Sequence, residues 1–448
     1  MIEAHGVGGQ ADLPIPLSLA VGGAGVALVV SFVILATAWR TPRYDGGTTS
    51  SRAVGEWVLP KPFSSLILAP ALAIALRVIG VALLLLAATA ALFGRNDLTN
   101  PLFGMVYVWW WVGLVFASLL LGPVWKAISP VRTIHATLLT LSGGDRERGL
   151  YDFPARLGVW PAALGLYAFV WLELVYDNSS QLGDLRLWCA IYLAIMLVGG
   201  AVFGPAFYAK ADPFEVYSSL AARLSPWHVR GAGTPDARIV LRSPLANLST
   251  TPLVPGVWGV VAVLFGSTAF DSFADSSWWL RTVYGSSFSA ATLNNLALAG
   301  FCVGVGILFA AGCVLTRPGT SVTRAELPDR FAHSLVPIIA GYIVAHYLTL
   351  FVDYGWQTLA LVSDPLGKEW NLFGTAGLTP SFWFSYHPTL LATIKVAAVV
   401  VGHVAAAVSA HDRALTVFPP GRRVTSQLPL MVMMVAFTTG GLLLLFSA

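Results

Sequence analysis

Eight residues of this chain carry chemistry in settings that need explaining. Glu173, Asp271, His346, Lys395, Arg77 and His403 fall within or at the ends of long apolar runs, and His5 and His387 flank such runs. A charge held in lipid costs at least about 2.5 kcal/mol, so each such group needs a partner or a task. His346, His387, His5 and Asp271 are of the ligand types that suit zinc, copper or iron. Beside such a metal, Glu173 would serve as base and Lys395 would steady an anionic group. Arg77 would neutralise a carboxylate. Their spacing carries no established signature: there is no HExxH, no HxH pair and no EF-hand loop.

The elements that hold these residues follow from composition. The chain has 448 residues, 56% of them apolar and only 11% charged, against about 25% charged in soluble domains. Ten apolar segments stand out, at 17–39, 64–93, 103–125, 157–176, 187–208, 253–270, 288–315, 331–352, 389–410 and 428–446. Each approaches the roughly 20 residues that a crossing helix needs. The first reads as a span rather than a cleavable signal, because Met1–Pro16 has no basic region. The expected fold is all-α, a single transmembrane domain of ten helices.

Charge gives the orientation. Alternate connections hold 20 of the 26 basic residues, set against 11 acidic ones, while the remaining connections hold 4 basic against 10 acidic. Cytoplasmic loops retain Lys and Arg, so both ends of the chain should face outward. The sequence pI near 9.0 is then a matter of topology and anionic inner-leaflet lipid, not of nucleic-acid binding. The expected location is the plasma membrane. Cys189, Cys302 and Cys313 all fall in spans and read as packing residues rather than a disulfide framework.

Helix rise converts position into depth. Glu173 lies four residues before Asp177, about 6 Å below the outer face, and His346 lies seven before Asp353, about 10 Å deep. Lys395 comes about 9 Å inward from its helix start. Tyr342, His346 and Asp353 share one helical face. Each residue also has a plainer explanation. Arg77 pairs with Glu173, Lys395 snorkels outward, and His403 is a hydrogen-bonded packing histidine. His346 and His403 could instead hold a b-type haem, although their depths differ by roughly 11 Å.

Two further patterns bear on organisation. Gly122-Pro123-Val124-Trp125 followed by Ser129-Pro130 is echoed by Gly204-Pro205-Ala206-Phe207 followed by Asp212-Pro213. Short amphipathic stretches, 134–141 and 216–224, come next and read as interfacial helices. A duplicated hairpin, as in transporters, and two copies of a helix-exit device explain this equally well. The segment 353–388 is long and rich in Trp and Phe, which suggests an outer lid or an interfacial strap.

Taken together, these motifs resemble a bacterial family of polytopic membrane proteins, some of which are labelled fenitrothion hydrolase. The residues are Gly6-Val7-Gly8-Gly9, Asp12-Leu13-Pro14-Ile15-Pro16, the Gly122 and Asp212 motifs, Ala345-His346-Tyr347, Gly402-His403 and Ala410-His411-Asp412-Arg413-Ala414. The resemblance spans nearly the whole chain and implies hydrolysis of a phosphotriester or similar ester. A metal would serve that chemistry by lowering the pKa of bound water. Three functions are therefore expected to compete: a metal-dependent hydrolase, a small-solute transporter with Arg77 and His403 on its inward path, and a haem- or copper-linked redox or assembly component with a partner subunit. Walker, Rossmann and GxSxG patterns are absent.

Overall fold

A computed structural model describes residues 12–44, 55–316, 318–319 and 322–446. It is an all-α bundle with an apolar helix at each of the ten expected places, nine of them of crossing length among the described residues. These are α1 (Leu17–Ala38), α2 (Pro70–Phe93), α3 (Pro101–Leu121), and, after two short helices α4 (Val124–Ile128) and α5 (Pro130–Ser142), α6 (Trp160–Leu174) and α7 (Leu182–Phe203). Two more short helices follow, α8 (Pro205–Ala211) and α9 (Pro213–Ala221), then α10 (Val257–Ala274), the short α11 (Ser277–Gly285), α12 (Ala290–Val314), α13 (Val336–Val362), α14 (Pro388–Val417) and α15 (Leu428–Leu445). Among the described residues nine of these helices are long and apolar enough to cross a bilayer. The tenth, α6, has only 15 residues.

One element is not helical. β1 (Trp57–Val58), β2 (Trp227–Arg230) and β3 (Arg238–Leu241) form a small antiparallel sheet in the order β1-β3-β2. Glu56 ties it together by meeting both Arg230 and Arg242. All of this lies in connections that charge assigns to the inner side. The three cysteines are free, as expected.

The Gly-Pro echo is a real local repeat. Helices α3 and α7 both end at a glycine with positive φ, +96° at Gly122 and +64° at Gly204, where a side chain would be strained. A short helix follows each, α4 or α8, and then Ser129 or Asp212 caps the next helix ahead of a proline. Here the copies diverge. α5 is amphipathic and peripheral, with Leu138 and Leu141 exposed. α9 corrects the interfacial expectation: Pro213 to Ser218, Leu220 and Ala221 are all buried.

What draws α9 inside is a set of satisfied polar groups. Asp212 accepts from Trp125 Nε1 at 2.9 Å, Tyr192 OH at 3.0 Å and the Phe214 and Glu215 amides. Arg132 grips Glu215 through Nε and Nη2 at 2.5 and 2.6 Å. Ser118 and Ser218 bond at 2.8 Å. Burial pushes the Asp212 carboxyl up to about 6 against donors that favour its ionised form. The folded state therefore holds a proton there up to about pH 6, whereas the unfolded chain loses it near 3.8. Stability from this group falls as pH rises through that window. Thermal unfolding across pH 4–7 should show this fall in the wild type, and Asp212→Asn should flatten it by roughly 2 kcal/mol.

Two boundaries shift in ways that matter. α13 does not stop at Asp353 but continues to Val362, with the Asp353 side chain buried and its Oδ1 without a hydrogen-bond partner among the described residues. The outer segment is thus shorter than expected, and it folds back on the helix end through Thr375 Oγ1 to Leu359 O (2.7 Å) and Ser363 to Asn371 (3.1 Å). Its Trp370, Phe373, Phe382 and Trp383 are exposed, as befits an interfacial belt. α3 carries a ten-residue π-helical stretch, Gly104–Gly113, far longer than the single π turns usually found at functional sites. It turns Trp110 and Trp111 inward, stacked on Phe214 and Tyr217 at centroid distances of 3.9 and 4.9 Å.

Candidate functional site

Three of the sequence candidates meet. α10 brings Asp271 within its last turn, and α13 presents His346 at mid-length. His346 Nε2 lies 2.8 Å from Asp271 Oδ2. Tyr347 OH donates to the same oxygen at 2.7 Å. On the other side of the ring, Nδ1 lies 3.2 Å from Ser272 Oγ, which receives the Tyr342 hydroxyl at 3.1 Å. Tyr342 OH also reaches the Gly441 carbonyl of α15 at 3.2 Å. A neutral imidazole with its proton on Nε2 makes this a chain of one direction: Tyr342 to Ser272, Ser272 to His346, His346 to Asp271. The centre is closed, with His346 only 2% and Tyr347 1% exposed.

Glu173 completes the cluster from α6. It lies within electrostatic reach of Asp271, Tyr107, Tyr217 and Tyr347. Its Oε2 is buried and accepts no hydrogen bond among the described residues. The Trp111 indole N–H on the neighbouring π-helical stretch is likewise buried without a partner. A carboxylate oxygen in that condition is costly unless it carries a proton or meets a cation.

With α13 running from Val336 to Val362, His346 is ten residues from one end and sixteen from the other, about 15 and 24 Å. It sits near the middle of the helix. Glu173 and Asp271 still lie near the outer ends of α6 and α10. These two helices are short, so their ends meet α13 at its middle.

The other candidates go elsewhere. His387 is exposed, donates from Nδ1 to Trp383 O (2.8 Å), and stacks on that indole at 4.3 Å. His5 lies outside the described residues. The expected four-ligand metal pocket thus retains two members, His346 and Asp271. Among the described residues no group of three or more His, Cys, Asp or Glu has the geometry to hold a metal ion. Lys395 does not snorkel: it is wholly buried, and the charge acting on it is that of Asp12. Arg77 is exposed on α2 and takes part in no ion pair among the described residues, so it neither neutralises Glu173 nor lines an inward path. His403 is 1% exposed, with Nδ1 at 2.7 Å from Val399 O and Nε2 without a partner among the described residues. Both ring nitrogens of His346 are hydrogen-bonded, to Ser272 and to Asp271.

Five residues of the site were not singled out for it from sequence. Ser272 adjoins Asp271, and Tyr347 adjoins His346; both were within reach of a closer look at neighbours. Tyr342 had been placed on the His346 face without a role. Tyr107 and Tyr217 had no such signal, because one depends on the π-helical stretch and the other on the burial of α9. No protein-family model, curated protein or solved structure matches this chain.

Proposed function

We propose that this multi-pass membrane protein is a proton-coupled transporter of a small solute, with Glu173, Asp271 and His346 as its proton-exchanging centre, residing in the plasma membrane of a bacterium. The observation that carries this reading is the unpartnered Glu173 Oε2 beside an Asp271 already bound by His346 and Tyr347. Two neighbouring carboxylates and an imidazole in the membrane interior form the kind of relay that pumps and transporters use. A proton can move between Glu173 and Asp271 while His346 and Tyr347 reorient their donors. The hydrogen-bond chain from Tyr342 through Ser272 ends at this centre, and the Tyr342 hydroxyl can turn its single proton to the Gly441 carbonyl of α15 instead.

The test is solute uptake into proteoliposomes under an imposed pH gradient, screened over a panel of small solutes. Glu173→Gln should abolish the gradient-driven component, at least about 100-fold, as expected for loss of an essential proton carrier. Wild-type uptake in that variant would overturn the assignment. A hydrolase remains the second reading, favoured by the Asp271-oriented histidine, which is the arrangement of a general base. It requires the closed cluster to open onto a substrate. Release of nitrophenol from a nitrophenyl phosphotriester by purified protein, lost in His346→Ala, would establish it in place of transport.

A further inference from the structure

A groove of about 650 Å³ runs down the outside of the bundle between α10, α11, α12 and α15. Its size lies in the range of roughly 300–1,000 Å³ typical of ligand sites. Every lining side chain is apolar, with Phe273, Phe301, Phe437 and Leu444 among them. The groove exists because four glycines, Gly300, Gly304, Gly440 and Gly441, contribute no side chain to its walls. At Gly300, Gly304 and Gly440 an added Cβ would meet nothing within 4 Å.

Three of the four bordering helices are membrane spans, so the medium at its open side is hydrocarbon. The fourth, α11, is amphipathic and lays Trp278 and Trp279 across one end. Arg281 stands three residues after Trp278, on the same helical face. It is exposed and steadied by Ser277 O at 2.9 Å. It is also one of only four basic residues in the outward connections. We infer that this groove binds the acyl chain of an anionic outer-leaflet amphiphile, whose headgroup meets Arg281.

The other occupants fit less well. A second copy of the chain related by a two-fold axis would set one concave groove against another, leaving a void whose lining loses its contacts. Water has no polar partner there. An acyl chain is flexible, abundant in the surroundings and matched to the lining. The groove floor is also one residue from the proposed centre, since Tyr342 packs against Gly441 and bonds its carbonyl. The inference does not depend on the transport reading, because the site exists whatever solute the Glu173 cluster serves.

The test uses the full chain in nanodiscs containing phosphatidylglycerol with a diazirine in its acyl chain. After irradiation, peptide mapping should place adducts on α12 and α15 within the groove in excess over the lipid-facing sides of α1 and α2. Gly300→Leu should reduce that labelling about tenfold, the effect of displacing roughly two buried methylenes. Gly440→Leu should do the same from the opposite wall, which guards against a fault peculiar to one variant. Arg281→Gln should erase a preference for phosphatidylglycerol over phosphatidylcholine while leaving the groove labelled. Adducts spread evenly over all lipid-facing helices would overturn the proposal. So would a dimer mass in native spectrometry that Gly300→Leu abolishes, which would give the groove to a second copy.

Discussion

Gly402→Ala is expected to unfold this protein at temperatures where Gly22→Ala has no effect. Gly402 of α14 faces Gly341 of α13 at a crossing without side chains between the backbones. A Cβ on Gly402 would stand 2.5 Å from Pro337 O, and one on Gly341 would stand 2.3 Å from Ala398 O. Backbone oxygens in two helices cannot step aside as a side-chain tip can, so the helices must separate along their length. Overpacking of this kind costs about 1–3 kcal/mol even where side chains can yield, and about 3 kcal/mol or more is expected here. In lipid this close approach is itself the source of association, because no hydrophobic force pulls two apolar helices together. At Gly22 an added Cβ meets nothing within 4 Å, so alanine there should gain up to about 1 kcal/mol of helix propensity. Thermal unfolding in detergent, compared between the two variants, checks the contrast. Equal midpoints would mean that the α13–α14 crossing is looser than described.

The second large effect concerns Asp271. Its Oδ2 serves two buried donors, His346 Nε2 and Tyr347 OH. Asp271→Leu strands both, and each orphaned buried donor costs about 1–3 kcal/mol. A loss of about 3–5 kcal/mol is expected, comparable to breaking a buried pair. Asp271→Asn should recover most of that loss, since an amide oxygen in the same place can accept both donors. It should not recover coupling, because the amide carries no exchangeable charge. The pair of variants therefore separates structure from chemistry: Leu unfolds the protein, whereas Asn leaves it folded and inactive in gradient-driven uptake. Asn that still couples protons would move the essential carboxylate to Glu173 alone.

Much of the fold was legible because lipid allows few solutions. Runs of about 20 apolar residues in lipid must be helices. Glu173, Asp271 and His346 stood out for the same reason, as polar groups in an apolar background. What sequence could not show was direction around each helix. Arg77 looked like a partner for Glu173 because both lie at depth, yet the one faces outward and the other inward. Lys395 looked free to snorkel, yet its helix face turns it into the bundle. Charge also misled at Asp353, which reads as the end of a span yet lies buried within α13. The burial of α9 was invisible for a related reason. Its amphipathic pattern is that of a surface helix, and only Trp125, Tyr192, Ser118 and Arg132 from distant segments make its polar side acceptable inside.

The unequal lengths of α6 and α13 set the bilayer itself as a variable in this protein. α6 has 15 residues and α13 has 27, about 22 and 40 Å of helix, against roughly 30 Å of hydrocarbon. No flat membrane of one thickness can suit both. α13 must lean or protrude, and the lipid beside α6 must thin. Where it thins, the aqueous boundary dips toward the carboxylate end of α6, so Glu173 lies closer to bulk solvent than a residue count suggests. A thicker, stiffer membrane would straighten α13 and raise that boundary, so the surrounding lipid sets how far the Glu173 cluster stands from water.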